Sequence, residues 1–299
     1  FHIHGLFVAL HLSLLGGTSM LFLSGFDPKQ VIQLIPQATV LMGVPTFYTR
    51  LLQQGSLNPK LCKNMRLFVS GSAPLLEETF SDFAERSGQR ILERYGMSET
   101  GMLTSNPLDG ERVPGTVGYA LPELDFRVCG EDGNELGAGS IGTLQVKGSN
   151  VFNGYWRNPG KTKQEFSDGY FITGDLVKEG RDGRISIVGR NKDLIITGGY
   201  NVYPKEIELV IDEIETIAES AVIGVNHPDF GEAVVAVVVQ SANDQNQKID
   251  EQALISTLKI QLASYKTPKK ILVIDELPRN TMGKVQKNLL REKYVGLFT

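Results

Sequence analysis

Over the first hundred residues, short apolar runs alternate with helical segments, and this alternation constrains the fold more than any other feature. Gly5 to Leu15 reads as a buried helix and Met20 to Leu23 as a short strand. Asp27-Pro28 supplies an N-cap followed by proline at the first helical position, opening a helix toward Ile35. Thr39 to Val44 reads as a buried strand and Pro45 to Leu52 as a helix. Leu67 to Val69 is a strand that runs into the tight Gly71-Ser72-Ala73-Pro74 turn. Leu75 to Arg86 is helical and stops at Gly88, and Ile91-Leu92 returns as a strand. Strands alternating with helices imply βαβ units and a parallel sheet.

From about Pro114 the pattern changes to short strands with hairpin turns at Asp132-Gly133 and Asp182-Gly183. Leu124 to Val128, Gly142 to Lys147 and Arg184 to Val188 suit a small antiparallel or barrel-like subdomain. Past Arg190, Pro204 to Asp212 and Asp250 to Ala263 look helical. Ala221 to Val225 and Ala233 to Gln240 look like strands, and polar Asn243 to Lys248 reads as a surface loop.

Composition narrows the function classes. The 299 residues suggest roughly two domains at about 150 each. With 41% apolar and 21% charged residues, a packed globule is expected. Lys plus Arg total 30 against 34 acidic residues, which argues against nucleic acid or an anionic membrane as partner. Cys62 and Cys129 lack metal-site spacing, so a zinc site or disulfide scaffold is disfavoured and a reducing, cytoplasmic setting is expected. The apolar run from Gly5 to Gly17 falls short of the ~20 residues that span a bilayer. The chain opens on Phe1, without a basic leader, and reads as part of a longer protein.

Neither a Walker A pattern nor a strand followed by GxGxxG occurs. Four other clusters carry candidate chemistry. Tyr95-Gly96-Met97-Ser98-Glu99-Thr100 follows an expected strand end, where open α/β sheets bind ligands. There Tyr95 offers a flat face for a base, Ser98 a hydroxyl for phosphate and Glu99 a hard oxygen for Mg²⁺; a plain polar loop is the alternative. In Thr173-Gly174-Asp175 the carboxylate suits vicinal ribose hydroxyls, and an ordinary β-turn fits as well. Gly189-Arg190-Asn191-Lys192-Asp193, with Gly198-Gly199-Tyr200 beyond, reads either as a phosphate contact with a hinge or as a solvated interdomain loop. Pro278 to Lys284 places Lys284 on a glycine-containing loop, able to present a point charge to a phosphoryl group or simply solvated.

Together and in this order, the four clusters resemble the adenylate-forming superfamily of acyl-CoA synthetases, luciferases and peptide-synthetase adenylation domains. Tyr95 to Thr100 matches its YGxTE motif with Ser98 in place of threonine. Thr173 to Asp175 matches TGD, Gly189 to Asp193 matches the GRxKD hinge, and Pro278 to Lys284 matches the PxxxxGK loop. His2-Ile3-His4-Gly5-Leu6, Gly43 to Arg50, Glu93 to Thr100 and Val202 to Glu206 resemble the malonyl-CoA synthetases of bacteria; Ile3 departs from the threonine usual between the two histidines.

The resemblance implies an α/β fold: the remainder of a large multi-layer α/β domain with a β-rich subdomain, then a small α+β C-terminal domain. It places the first at 1–190, split into 1–110 and 111–190, and the second at 191–299. The family's upstream phosphate loop is not in this chain. The resemblance implies ATP, Mg²⁺ and CoA with a small carboxylate, and no nucleic acid, membrane or protein partner. By motif position, Lys284 bridges substrate carboxylate and α-phosphate, and Glu99 holds Mg²⁺. Gly71, Ser72, Ala73, Tyr95, Gly96 and Ser98 surround the nucleotide base and phosphate, while Asp175 and Arg190 hold the ribose. His2, His4 and Met102 lie by the acyl group, although Met102 also reads as packing. Gly198, Gly199 and Tyr200 border the CoA arm, and Lys192 is the hinge. The second carboxylate of malonate needs a cation, for which Arg50 is a candidate; Arg50 equally suits a solvated helix face. Ligation of another short or medium-length acid to CoA, loading of a carrier protein, and an inactive chain lacking the phosphate loop are the other readings.

Overall fold

Asp27 caps its helix as its chemistry requires. Its carboxylate accepts from the Lys29 and Gln30 amides at 2.9 and 3.4 Å. The computed structural model describes residues 3–241, 249–280 and 283–298. The described residues form three five-stranded sheets. By packing, the chain divides into two units: 1–173 with 177–187, and 174–176 with 188–299.

In the first unit, His4–His11 winds as a π-helix into a short α-helix, α1 (Leu12–Leu15). Next come α2 (Pro28–Leu34), β1 (Val40–Gly43), α3 (Pro45–Leu52), β2 (Leu67–Ser70) and α4 (Glu77–Ser87). The strands β3 (Leu92–Met97), β4 (Gly101–Ser105) and β5 (Tyr119–Ala120) complete a sheet ordered β1-β2-β3-β4-β5. The expected parallel pairing holds for β1, β2 and β3; β4 and β5 add antiparallel. Tyr48, Phe68 and Phe83 pack edge to face beneath it, the two phenylalanine rings 4.8 Å apart. The Tyr48 hydroxyl donates to the Val69 carbonyl at 2.5 Å, locking α3 to β2. Gly88 ends α4 at φ +73°, a conformation that favours glycine.

Two expectations for this region fail. The segment from Gly5 to Leu15 is helical but not buried: only Val8 is enclosed, and Leu15 is 84% exposed. Met20 to Leu23 forms no strand. Both segments are apolar, but β1 is a sheet edge and no described strand lies beyond it to pair with them.

The β-rich region holds β6 (Asp125–Cys129), β7 (Ile141–Lys147), α5 (Pro159–Gln164), β8 (Phe166–Ser167), β9 (Tyr170–Glu179) and β10 (Ile185–Arg190). Its order is β10-β9-β7-β6, with β8 on β9. Thr173-Gly174-Asp175 therefore lies within β9, not in a turn. Similarly, Tyr95-Gly96-Met97 is the end of β3, not a loop after it, because β3 runs on to pair with β4.

The second unit continues with β11 (Ile195–Thr197), β12 (Tyr200–Val202), α6 (Pro204–Asp212), β13 (Ile217–His227) and β14 (Gly231–Gln240). It ends with α7 (Glu251–Gln261), β15 (Lys270–Ile274) and α8 (Lys287–Lys293). Strand β14 pairs antiparallel with β13 and parallel with β15. Val234, Ala236 and Val238 pack with α6 and α7 residues, while Val235 and Val237 pack with Leu277 and Leu290. Both faces are covered, which is why β14 is a continuous apolar run. The expected Asn243 to Lys248 loop falls outside the described residues. No helix among the described residues is long and apolar enough to cross a membrane.

Candidate active site

Two constellations gather the sequence-marked residues, one in each unit. In the first unit, the Gly71-Ser72-Ala73-Pro74 segment leaves the C-terminal end of β2. The Gly71 amide donates to the Gly43 carbonyl at 3.3 Å. A side chain on Gly71 would press on the Arg94 carbonyl at 3.2 Å and on the His4 ring at 3.4 Å. Ser72 takes φ +70°, a strained value for a residue with a Cβ. Its Oγ lies 3.3 Å from Nδ1 of the buried His4, so these two marked residues meet. Next in the sheet, the Glu93 carboxyl accepts from the Leu75 amide at 3.3 Å, and burial pushes its pKa up to about 8.

Beyond Tyr95 and Gly96, residues Ser98, Glu99 and Thr100 make the turn between β3 and β4. The turn is clamped from outside. Phe152 donates its amide to the Glu99 carbonyl at 2.8 Å, and Asn150 Nδ2 donates to the Thr100 carbonyl at 2.6 Å. The same amide group reaches the Met102 carbonyl at 3.3 Å. Tyr155 donates its hydroxyl to Glu99 Oε1 at 3.2 Å. Burial and the Glu99 charge push the Tyr155 phenol up to about 12, so it remains a donor at neutral pH. Glu99 thus presents a half-buried, oriented carboxylate. That fits a Mg²⁺ ion, which takes one or two carboxylates and completes its shell with substrate phosphates and water. Among the described residues no cluster of three or more His, Cys, Asp or Glu side chains could hold a metal unaided.

Sequence reasoning missed two groups here. Tyr155 is one; Gly154-Tyr155-Trp156 carries no local signal that it will reach Glu99. Arg94 is the other. It is half-buried, and desolvation lowers its guanidinium below the usual arginine value. Its Nη2 lies 3.9 Å from Met42 Sδ, and among the described residues no carboxylate pairs with it. Arg50, in contrast, is exposed on α3 and makes no ion pair among the described residues. His2 lies outside the described residues.

In the second unit, buried Asp175 on β9 meets Arg190 at the end of β10, with Oδ1 and Nε 2.5 Å apart. Lys284 is exposed at the surface, and its ammonium is lowered below the usual lysine value. Partial desolvation acts first, then the charges of Arg190 and Lys192, with Asp175 opposing. Arg190 pairs directly with Asp175, and Lys284 lies within the field of that pair and of Lys192, a field suited to a polyanion. Gly283 at φ +78° turns the chain into Lys284, whose amide donates to Asn280 Oδ1 at 3.0 Å. Met282 falls outside the described residues. Lys192 is exposed in a 3₁₀ turn, Asn191–Asp193. Its neighbour Asp193 pairs with Arg291 of α8 at 2.5 Å. Gly198 and Gly199 take φ +55° and +81°, the left-handed pair that a two-residue hairpin between β11 and β12 requires. Tyr200 follows, 58% exposed and stacked on Tyr265 at 4.7 Å.

The chain is similar to known proteins along nearly its whole length. The chain is 37% identical over 320 residues to a malonate–CoA ligase of Arabidopsis thaliana, covering 97% of this chain and 52% of that protein. It is 35% identical to a long-chain-fatty-acid–CoA ligase of Bacillus subtilis, covering 98% of this chain and 52% of that protein. Among solved structures, the ATP-bound MatB of Rhodopseudomonas palustris is 57% identical with a TM-score of 0.96, over 100% of this chain and 59% of that one. The chain thus spans about half the length of the curated relatives it matches. Residues 1–156 match the AMP-binding enzyme model and residues 206–284 match the model of its C-terminal domain. By these matches over more than half of its length, the chain belongs to the AMP-binding enzyme family.

Proposed function

We propose that this chain serves an ATP-dependent acid–thiol ligase that converts malonate, ATP and CoA into malonyl-CoA, AMP and diphosphate. The observation that carries this proposal is the buried Asp175 paired with Arg190, with the Lys284 ammonium within the field of that pair. The 57% identity to a protein solved with ATP supports the nucleotide, and the named activity of the Arabidopsis relative supports the acid.

Two displacements make up the reaction. A malonate oxygen attacks the α-phosphorus and diphosphate leaves; the CoA thiol then attacks the acyl carbon, loses its proton and expels AMP. Charge grows on the phosphoryl oxygens in the first step, so preorganised cations lower that barrier. Lys284 supplies one between the attacking carboxylate and the phosphate. Asp175 takes the ribose hydroxyls and keeps Arg190 aimed alongside. Tyr95 with Gly71, Ser72 and Ala73 flanks the base, and Gly96 and Ser98 admit the phosphate. Glu99, oriented by Tyr155, would hold Mg²⁺, which neutralises phosphate charge when bound. His2, His4 and Met102 border the acyl group. Gly198, Gly199 and Tyr200 border the CoA arm once the segment past Lys192 turns, with 1–190 and 191–299 as the moving parts.

Diphosphate release by the complete native polypeptide with ATP, Mg²⁺ and a panel of acids tests the assignment. Malonate should give the highest kcat/KM. The resemblance to the Bacillus ligase favours a second reading, and a higher value for a long-chain acid would establish it in place of the first.

The distal carboxylate of malonate needs a partner once enclosed. Half-buried Arg94 suits that role better than exposed Arg50. Arg94→Met should cost on the order of 2–5 kcal/mol in kcat/KM for malonate, the loss for leaving a buried charge unpaired. Butyrate should lose little, and Arg50→Met should leave the malonate-to-butyrate ratio nearly unchanged. The reverse ranking would return the role to Arg50.

A further inference from the structure

The loop that carries Lys284 is closed internally by hydrogen bonds between Asn280 and Lys284, and the Arg279 side chain ties it to the sheet. Arg279 bridges antiparallel to Val285, on the far side of Lys284. Its Nη1 donates to the Gly283 carbonyl at 2.6 Å, one peptide before Lys284. Its Nη2 pairs with Glu219. Glu219 stands on β13, opposite Val239 of β14, just after the ladder's one register irregularity, and the pairing is regular from there to His227. Only a planar guanidinium can reach both partners at once, because its donors are fixed in a fork. Stability is not its main contribution, since both side chains of the pair are about one-third exposed and such pairs contribute little. Its effect is geometric: it sets where the Lys284 backbone stands relative to the sheet.

We propose that Arg279 is a positioning residue for Lys284, holding the lysine loop against β13 so that the ammonium stays beside Asp175 and Arg190. The inference rests on the role proposed above for Lys284. Without Arg279 the loop keeps its Asn280–Lys284 hydrogen bonds but loses this tie to β13, and a misplacement of about 1 Å can cost on the order of 10²-fold in rate.

The test separates the two half-reactions in the complete native polypeptide. Arg279→Ala should slow adenylate formation by roughly 10- to 10²-fold, with KM for ATP nearly unchanged. Thioester formation from supplied acyl-adenylate should stay near the native rate. Arg279→Lys keeps the charge but reaches one partner only, so it should recover a minor part of the loss. Glu219→Gln removes the anchoring charge and leaves the Gly283 contact, and it should give an intermediate loss; it decides the matter should Arg279→Ala fold poorly. Labelling of Lys284 by an amine-acylating reagent at fixed pH should also slow in Arg279→Ala, because the displaced ammonium regains water and leaves the Arg190 charge, the two main causes that depress it. Equal loss in both half-reactions, or no loss, overturns the proposal. A native protein that adenylates only another acid overturns the malonate assignment alone, and the same comparison is then read with that acid.

Discussion

Replacing Lys284 by alanine should reduce adenylate formation by roughly 10²–10³-fold, the usual loss when one preorganised charge contact to a transition state is removed. On the role proposed for Lys284, the loss falls on the first step. Lys284 shares its surroundings with Asp175, Arg190 and Lys192, and it stands on a loop closed by Asn280 and Gly283. Asp175 and Arg190 hold each other at 2.5 Å without Lys284, so the KM for ATP should change little. Thioester formation from supplied acyl-adenylate should continue near the native rate. The lowered ammonium has a further consequence. Lys284 loses its proton at a lower pH than an ordinary lysine, so the alkaline fall in adenylation should begin below the usual lysine range. Lys284→Arg should move that limb to higher pH, because arginine keeps its charge. Rapid-quench measurement of each half-reaction across pH is the check, and equal losses in both steps would remove Lys284 from the first.

Gly96→Ala should be nearly as damaging, for a steric reason. A Cβ at Gly96 would lie 2.1 Å from the Gly101 carbonyl oxygen and 2.9 Å from Met102 Cα. Both belong to the backbone of β4, which cannot swing aside as a flexible side chain can. The ladder already shifts register between Tyr95 and Gly96, so the hairpin has no slack at this point. The expected cost is roughly 1–3 kcal/mol of stability, typical of overpacking. The turn bearing Ser98 and Glu99 moves with β4, so adenylation should fall by about 10²-fold even in the folded fraction. Gly160→Ala is the matched control: it sits in α5 with nothing within 4 Å, and should be neutral or stabilising by about 0.5–1 kcal/mol. Denaturant midpoints for the two variants, with adenylation rates, decide the matter. A Gly96→Ala protein with native midpoint and rate would show that the hairpin yields.

The sequence by itself determined what local chemistry decides. Asp27-Pro28 and Asp250 start helices because a carboxylate there meets orphan amides within three residues. Gly88 stops one because it accepts φ +73°. The hairpin at Gly198-Gly199 was not legible there, because β11 and β12 are too short to show as strands in the sequence. The alternation before Leu92 is a parallel sheet, and the motif positions were legible as ordered patterns. Tertiary structure decided burial and partnership, because these depend on residues remote in the chain. Asp175 meets Arg190 only because β9 and β10 are neighbours in one sheet. Glu99 receives Tyr155 across 56 residues, and Arg94 rather than Arg50 is half-buried because β3 is interior while α3 turns Arg50 to solvent. The helix from Gly5 shows the converse. Its apolar composition promised burial, but a hydrophobic segment is enclosed only where something packs against it, and that is a property of the assembled neighbours rather than of the segment.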